Sequence, residues 1–232
     1  VKFLKIMAVI VAVFVAGTVI VVMFNTHSWN YKITVNIETP EGMKSGSAVR
    51  KVINRGNTLF GIKFPEVAYR ISSVKGEAVV IDLGKRGVVF ALIEHGSYDE
   101  LYWAFSVRDA SNTTRDFRKL KAGANASFPK ENWPQFVTFK NISDPKSVVL
   151  VHGRRFDVKA QDMLPVDDVE EILGKGVKIE SVTIEIVNEP VTWGIVDKYL
   201  SEDFFSEYHE WVKSEKITGR EFTRLFQFQQ GK

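Results

Sequence analysis

The sequence predicts a mainly β protein, either β-sandwich-like or α+β. It is read as an exported domain behind an N-terminal transmembrane helix, with short C-terminal helices. Three observations carry this. Ile6–Phe24 is a run of nineteen residues without a charge. Trp29–Glu38 alternates apolar and polar residues without a break. From Ser201 onward, aromatic residues recur at helical spacing.

The apolar run comes first. As a helix rising about 1.5 Å per residue it measures close to 30 Å, the thickness of a bilayer hydrocarbon core. Lys2 and Lys5 precede it, and the next charges are Lys32 and Glu38. An excess of basic residues marks the cytoplasmic side. Residues 1–5 are therefore expected inside, 6–24 in the bilayer, and the remainder in the periplasm or outside the cell. Val1 reads as a GUG start codon and so as a bacterial gene, which places the anchor in the cytoplasmic (inner) membrane. A cleaved signal peptide is the competing reading. Its apolar region is shorter, about 7–15 residues, and ends at a small-x-small site. Asn25-Thr26-His27-Ser28 supplies only a poor one.

The exported domain is expected over 29–200. In Trp29–Glu38 the residues Trp29, Tyr31, Ile33, Val35 and Ile37 share one face, the mark of a half-buried strand. Trp29 and Tyr31 are also placed where amphipathic rings favour the membrane interface. Pro40-Glu41-Gly42 reads as a turn and Ser47–Asn54 as the return strand. Val67–Val74, Glu77–Leu83 and Val88–Glu94 follow as strands, with Gly84-Lys85-Arg86-Gly87 as a hairpin connector. The last two are almost continuously apolar and read as strands covered on both faces. Tyr98–Ser106 suits helix or strand. Arg108–Asn132 reads as a long loop. Gln135–Lys140 and Ser147–Val151 are further strands, and Arg154-Arg155 a turn. Val166–Leu173 is read as a short helix after Pro165, with acids early and Gly174 beyond its end. Lys178–Val187 alternates, but Val182 is out of phase with Ile179, which predicts a bulge near Ser181.

The C-terminal helices are expected over 201–228. Phe204, Phe205, Tyr208, Trp211 and Val212 form one helical face. A capping-box pattern from Thr218 to Glu221 leads into Phe222, Leu225 and Phe226.

Composition excludes several function classes. There is no Cys, hence no disulfide scaffold, thiolate nucleophile or Cys-bound metal. The net charge of +3 falls to +1 without Lys2 and Lys5, too even for a nucleic-acid partner. No phosphate loop, dinucleotide fingerprint, nucleophile elbow or zinc-protease motif occurs, so neither cofactor nor metal is expected. Ser45-Gly46-Ser47 only superficially resembles an elbow. Ile33–Val49, Ala78–Ile93 and Val182–Ile195 resemble a group of uncharacterised bacterial membrane-anchored proteins. That resemblance implies an anchored envelope protein and transfers no activity.

The expectation is thus a single-pass envelope protein acting as a binding or structural module rather than an enzyme. Its partners are the bilayer, through Ile6–Phe24, and an envelope protein. The candidate interaction surface is Phe204, Phe205, Tyr208, Trp211 and Phe222. The alternative is an anchored hydrolase using His95 and His152 with Asp99, since His95 and His152 both fall at strand ends where imidazoles can act as base or ligand. A third reading, a subunit of a membrane complex, rests on the small residues Ala16, Gly17 and Thr18.

Overall fold

The computed structural model describes residues 2–24, 26–55, 58–59, 62–63, 71–93, 98–105, 119–157, 159–214 and 228–231. Strand makes up 44% and helix 28%, in two large antiparallel sheets, so the mainly β class holds.

Helix α1 runs Lys2–Phe24. Among the described residues no helix is long and apolar enough to cross a membrane; the side chains of α1 are described only over 5–17. Strand β1 (Thr26–Thr39) begins two residues after α1 ends, and β2 (Gly42–Arg55) returns along it. Only Pro40 and Glu41 separate the two strands, as the turn reading expects, but both strands run further than the alternation suggested. Next come β3 (Thr58–Leu59), β4 (Ile62–Lys63), β5 (Ile71–Glu77), β6 (Val79–Asp82), β7 (Val88–Ala91) and helix α2 (Tyr98–Ala104). The chain continues with β8 (Asn125–Ser127), β9 (Phe136–Phe139), β10 (Val148–Asp157), β11 (Asp162–Asp167), helix α3 (Val169–Leu173), β12 (Lys178–Val187), helix α4 (Glu202–Ser214) and β13 (Gln229–Gln230).

The first sheet has the order β13-β5-β2-β1-β12-β8, and the second β11-β10-β9-β7-β6. A small β3-β4 hairpin stands apart from both. The inner faces of the large sheets share one core. Tyr31, Ile33, Val35 and Ile37 of β1 and Val182, Ile184 and Ile186 of β12 meet Val79, Ile81, Val89, Ala91 and Phe136 of the second sheet. The bulge expected near Ser181 is present: Asn36 faces Ser181 while Ile37 faces Ile179. The extra residue restores Ile179 to the core side, which is why Val182 looks out of phase in sequence.

The second sheet is apolar on both faces because α4 covers the outer one. Ala78, Val80, Phe90, Leu92, Val137, Phe139 and Leu150 pack against Val196, Leu200, Phe204, Tyr208 and Phe228. The rings meet largely edge to face, as in Phe139 on Phe204 at 5.3 Å between centroids. Such contacts add to area burial. A strap from β12 delivers α4 to that face. Asn30 Nδ2 donates to the Glu189 carbonyl at 2.7 Å, and Val49 N and Thr192 N exchange bonds with Thr192 Oγ1 and the Val49 carbonyl, both 2.9 Å.

Three readings are corrected. Tyr31 does not lie at a membrane interface but is fully buried in the core. Arg154 and Arg155 are not a turn; they lie in β10, opposite Pro165 and Leu164 of β11. The helix read over Val166–Leu173 is shorter, Val169–Leu173: Val166 and Asp167 belong to β11, which also takes in Pro165 at the sheet edge, where a residue without an N–H is tolerated. The loop read over 108–132 contains β8, and its residues 108–118 lie outside the described residues, as do Val67–Arg70 and the second C-terminal helix from Thr218.

A buried polar network sits between the sheets. Arg50 shares the inner face of β2 with Ala48 and Val52 and is fully buried. Its Nη1 donates to Glu100 Oε1 of α2 at 2.6 Å, its Nε to the Glu77 carbonyl at 3.0 Å, and its Nη2 to the Ala91 carbonyl at 3.1 Å. Tyr31 OH donates to Glu100 Oε2 at 2.6 Å. Burial and the Glu100 charge push the Tyr31 phenol well above its ordinary value, so it remains a donor. Gly76, at φ +145°, leaves room for the aliphatic stem that carries this guanidinium; a Cβ there would lie 2.9 Å from Arg50 Cγ.

Candidate functional site

The candidate site is a cleft of about 290 Å³ at one end of the sandwich. Its walls come from the turn Lys130–Asn132 with Trp133, from β10 and the end of β11, from α3 and from the start of β12. Val169, Val177 and Ile179 form an apolar floor.

A bulge in β10 aims the central side chain. Leu150 faces Val137 and His152 faces Phe136, so Val151 is the extra residue. The displaced strand brings the His152 ring against Trp133 and Phe136, at 5.6 and 5.9 Å between centroids. Trp133 is itself fixed, its indole N–H donating to the Phe128 carbonyl at 2.7 Å. His152 Nδ1 lies 3.2 Å from Asp167 Oδ1, its cross-strand partner. Lys130 Nζ reaches Asp167 Oδ2 at 3.2 Å and stands 5.9 Å from the Trp133 ring centre. Partial burial works to raise the Asp167 carboxyl. The hydrogen bonds from His152 and Lys130 outweigh it and hold the group below its ordinary value. Lys178 on the opposite wall is bound by Glu38 at 2.7 Å and Glu180 at 3.0 Å.

The wall formed by α3 is anchored by Arg86 of the connector between β6 and β7. Its Nη1 donates to the Leu173 carbonyl at 3.0 Å, while Nε and Nη2 grip Glu41 at 3.0 and 2.8 Å. Thus the connector ties the β1–β2 turn to the end of α3. The Arg86 hydrogen bonds pull the Glu41 carboxyl from 4.5 down to about 2. A depressed carboxyl stabilises the fold above its unfolded value and ceases to do so as pH falls through its folded one. The advantage of the wild type over Arg86→Ala is therefore expected to be full above about pH 4.5 and to shrink toward pH 2. Urea midpoints of both proteins at pH 6 and pH 3 check this.

Of the alternative hydrolase site, the structure separates Asp99 from His152. His95 lies outside the described residues. Asp99 is on α2, beside Glu100, which reaches Tyr31. His152 lines the cleft at Ile179, and Ile179 faces Ile37. Tyr31 and Ile37 are six residues apart on β1, roughly 20 Å at about 3.3 Å per residue. Asp99 and His152 therefore stand at opposite ends of the sandwich, and the acid that meets His152 is Asp167. The expected interaction surface is mostly internal. Phe204 and Tyr208 are 5% and 0% exposed, Phe205 and Trp211 are half-buried, and Phe222 lies outside the described residues.

Chemically the cleft offers an aromatic face, an acidic rim and an apolar floor. Among the described residues its lining holds no Ser, Thr or Tyr. Among the described residues no three of His, Asp and Glu come together to hold a metal ion. Sequence reasoning missed Lys130, Trp133 and Asp167 as a unit because the turn before β9 meets the end of β11 only through the pairing of β9 with β10 and of β10 with β11. Set beside family models, curated proteins and solved structures, the chain matches none of them.

Proposed function

We propose that this chain is a single-pass, membrane-anchored envelope protein whose sandwich is a binding module held outside the bacterial cytoplasmic membrane. One observation carries the reading. The described side chains of α1 are turned outward, Ile6, Val9 and Val13 being 60%, 62% and 67% exposed, and α1 leads within two residues into β1. A contiguous apolar surface of this kind needs lipid or protein around it. The uncharged Ile6–Phe24 run is long enough for lipid, with Lys2 and Lys5 on the cytoplasmic side.

The cleft then stands away from the bilayer. β1 starts at the anchor with Thr26, and Glu38 beside the cleft residue Lys178 is twelve residues on, roughly 40 Å along the strand. A site at the far end of a tethered domain is presented to other envelope components at high local concentration. The His152–Asp167 pair favours the hydrolase reading only as far as a base, since no described residue of the lining carries a hydroxyl nucleophile.

Membrane retention tests the anchor. The full chain is expected to stay in the membrane pellet through an alkaline carbonate wash and to enter solution only with detergent. Release by carbonate overturns the anchor.

A further inference from the structure

The cleft already holds an ammonium group, the protein's own. Lys130 Nζ lies over the Trp133 ring and against Asp167. An aromatic face beside a carboxylate is the arrangement that recognises an organic cation, one partner offering its quadrupole and the other a charge-assisted hydrogen bond. Lys130 is a loosely held occupant. Its side chain is 63% exposed and rises from a single turn. An exposed pair of this kind restrains its partners by no more than about fivefold.

The rest of the lining favours a further cation. Asp168 and Glu171 also face the cleft, and neither carboxylate is hydrogen-bonded or paired among the described residues. Lys178, the other cation of the lining, is already held by Glu38 and Glu180. The floor of Val169, Val177 and Ile179 suits an aliphatic chain, and about 290 Å³ admits one such chain.

We propose that the cleft binds an alkylammonium group of the lysyl type, carried by a peptide or protein partner, which takes the place of Lys130 between Trp133 and Asp167. This names the ligand chemistry of the binding module above. The anchor is read from membrane retention and the ligand from titration, so either can fail alone.

The test is calorimetric titration of the full chain in detergent micelles with Nα-acetyl-lysine methylamide. Cadaverine serves as a free diamine and Nα-acetyl-norleucine methylamide as the uncharged control. Lys130→Gln removes the internal competitor and is expected to tighten the lysine derivative by about two- to fivefold. Adding Asp167→Asn to Lys130→Gln is expected to weaken it at least about tenfold. Circular dichroism confirms that both variants are folded. Equal binding of cadaverine would assign the site to alkylammonium ions in free form as well as on a peptide. Equal binding of the norleucine control overturns the proposal, as does unchanged affinity in the folded Lys130→Gln protein or no binding at millimolar ligand.

Discussion

Replacing Arg50 with methionine is expected to lower the unfolding free energy by about 3–5 kcal/mol. The size follows from burial. Arg50 and Glu100 are 0% and 1% exposed, and their 2.6 Å contact joins β2 to α2 inside the core. Removing the guanidinium strands the Glu100 carboxylate, with the Tyr31 hydroxyl the one side-chain donor left to it among the described residues. It also leaves the Glu77 and Ala91 carbonyls without its hydrogen bonds. The double variant Arg50→Met with Glu100→Leu leaves no unpaired charge and is expected to recover most of the loss, since apolar replacement of a buried pair is often neutral. Urea unfolding of the wild type, both single variants and the double variant closes the cycle. Additive losses would mean that the two side chains act separately.

Gly46→Val is expected to cost at least about 3 kcal/mol or to prevent folding. Gly46 lies on the inner face of β2, where β6 of the second sheet passes close against it. A Cβ built there falls onto the Val80 carbonyl oxygen and comes within 3.0 Å of Ile81 Cγ1. The obstacle is backbone of β6, held in its sheet by pairing with β7, so it cannot rotate away as a side chain would. Relief requires the sheets to part and the core between them to open. Gly42→Val is the comparison. A Cβ at Gly42 meets nothing within 4 Å, so its cost is confined to its positive φ of 118°. A loss at Gly46 no larger than at Gly42 would refute the close crossing.

Much of this fold is legible because each strand carries the imprint of what covers it. β1 alternates because one face meets the second sheet and the other meets solvent. β6 and β7 are apolar up to Asp82 because α4 covers the face that the core does not, and the bulge at Ser181 shows as a slip of phase. Other features left a weaker signal. Arg50 is in phase with Ala48 and Val52 on the inner face of β2, so strict period-two reading of Ser47–Asn54 marks it as a buried cation, although not its partner. Arg154 and Arg155 read as a turn, and Val166 and Asp167 as a helix start, because Gly and Pro beside them favour breaks, and tertiary pairing of β10 with β11 overrides that preference. The cleft was least legible. Lys130, His152 and Asp167 come from separate segments, and their meeting depends on a bulge at Val151 that nothing in Ser147–Val151 announces.

The proposed anchor places the far end of the sandwich outside the cytoplasm. The absence of cysteine makes it directly testable, because a single introduced thiol is the only one in the chain. Met43 is 55% exposed and lies beside the β1–β2 turn, near the cleft end of the sandwich. Met43→Cys in intact bacterial spheroplasts is expected to react with a membrane-impermeant maleimide, and the labelled protein to remain in the membrane fraction. Labelling only after the cells are lysed would contradict that placement.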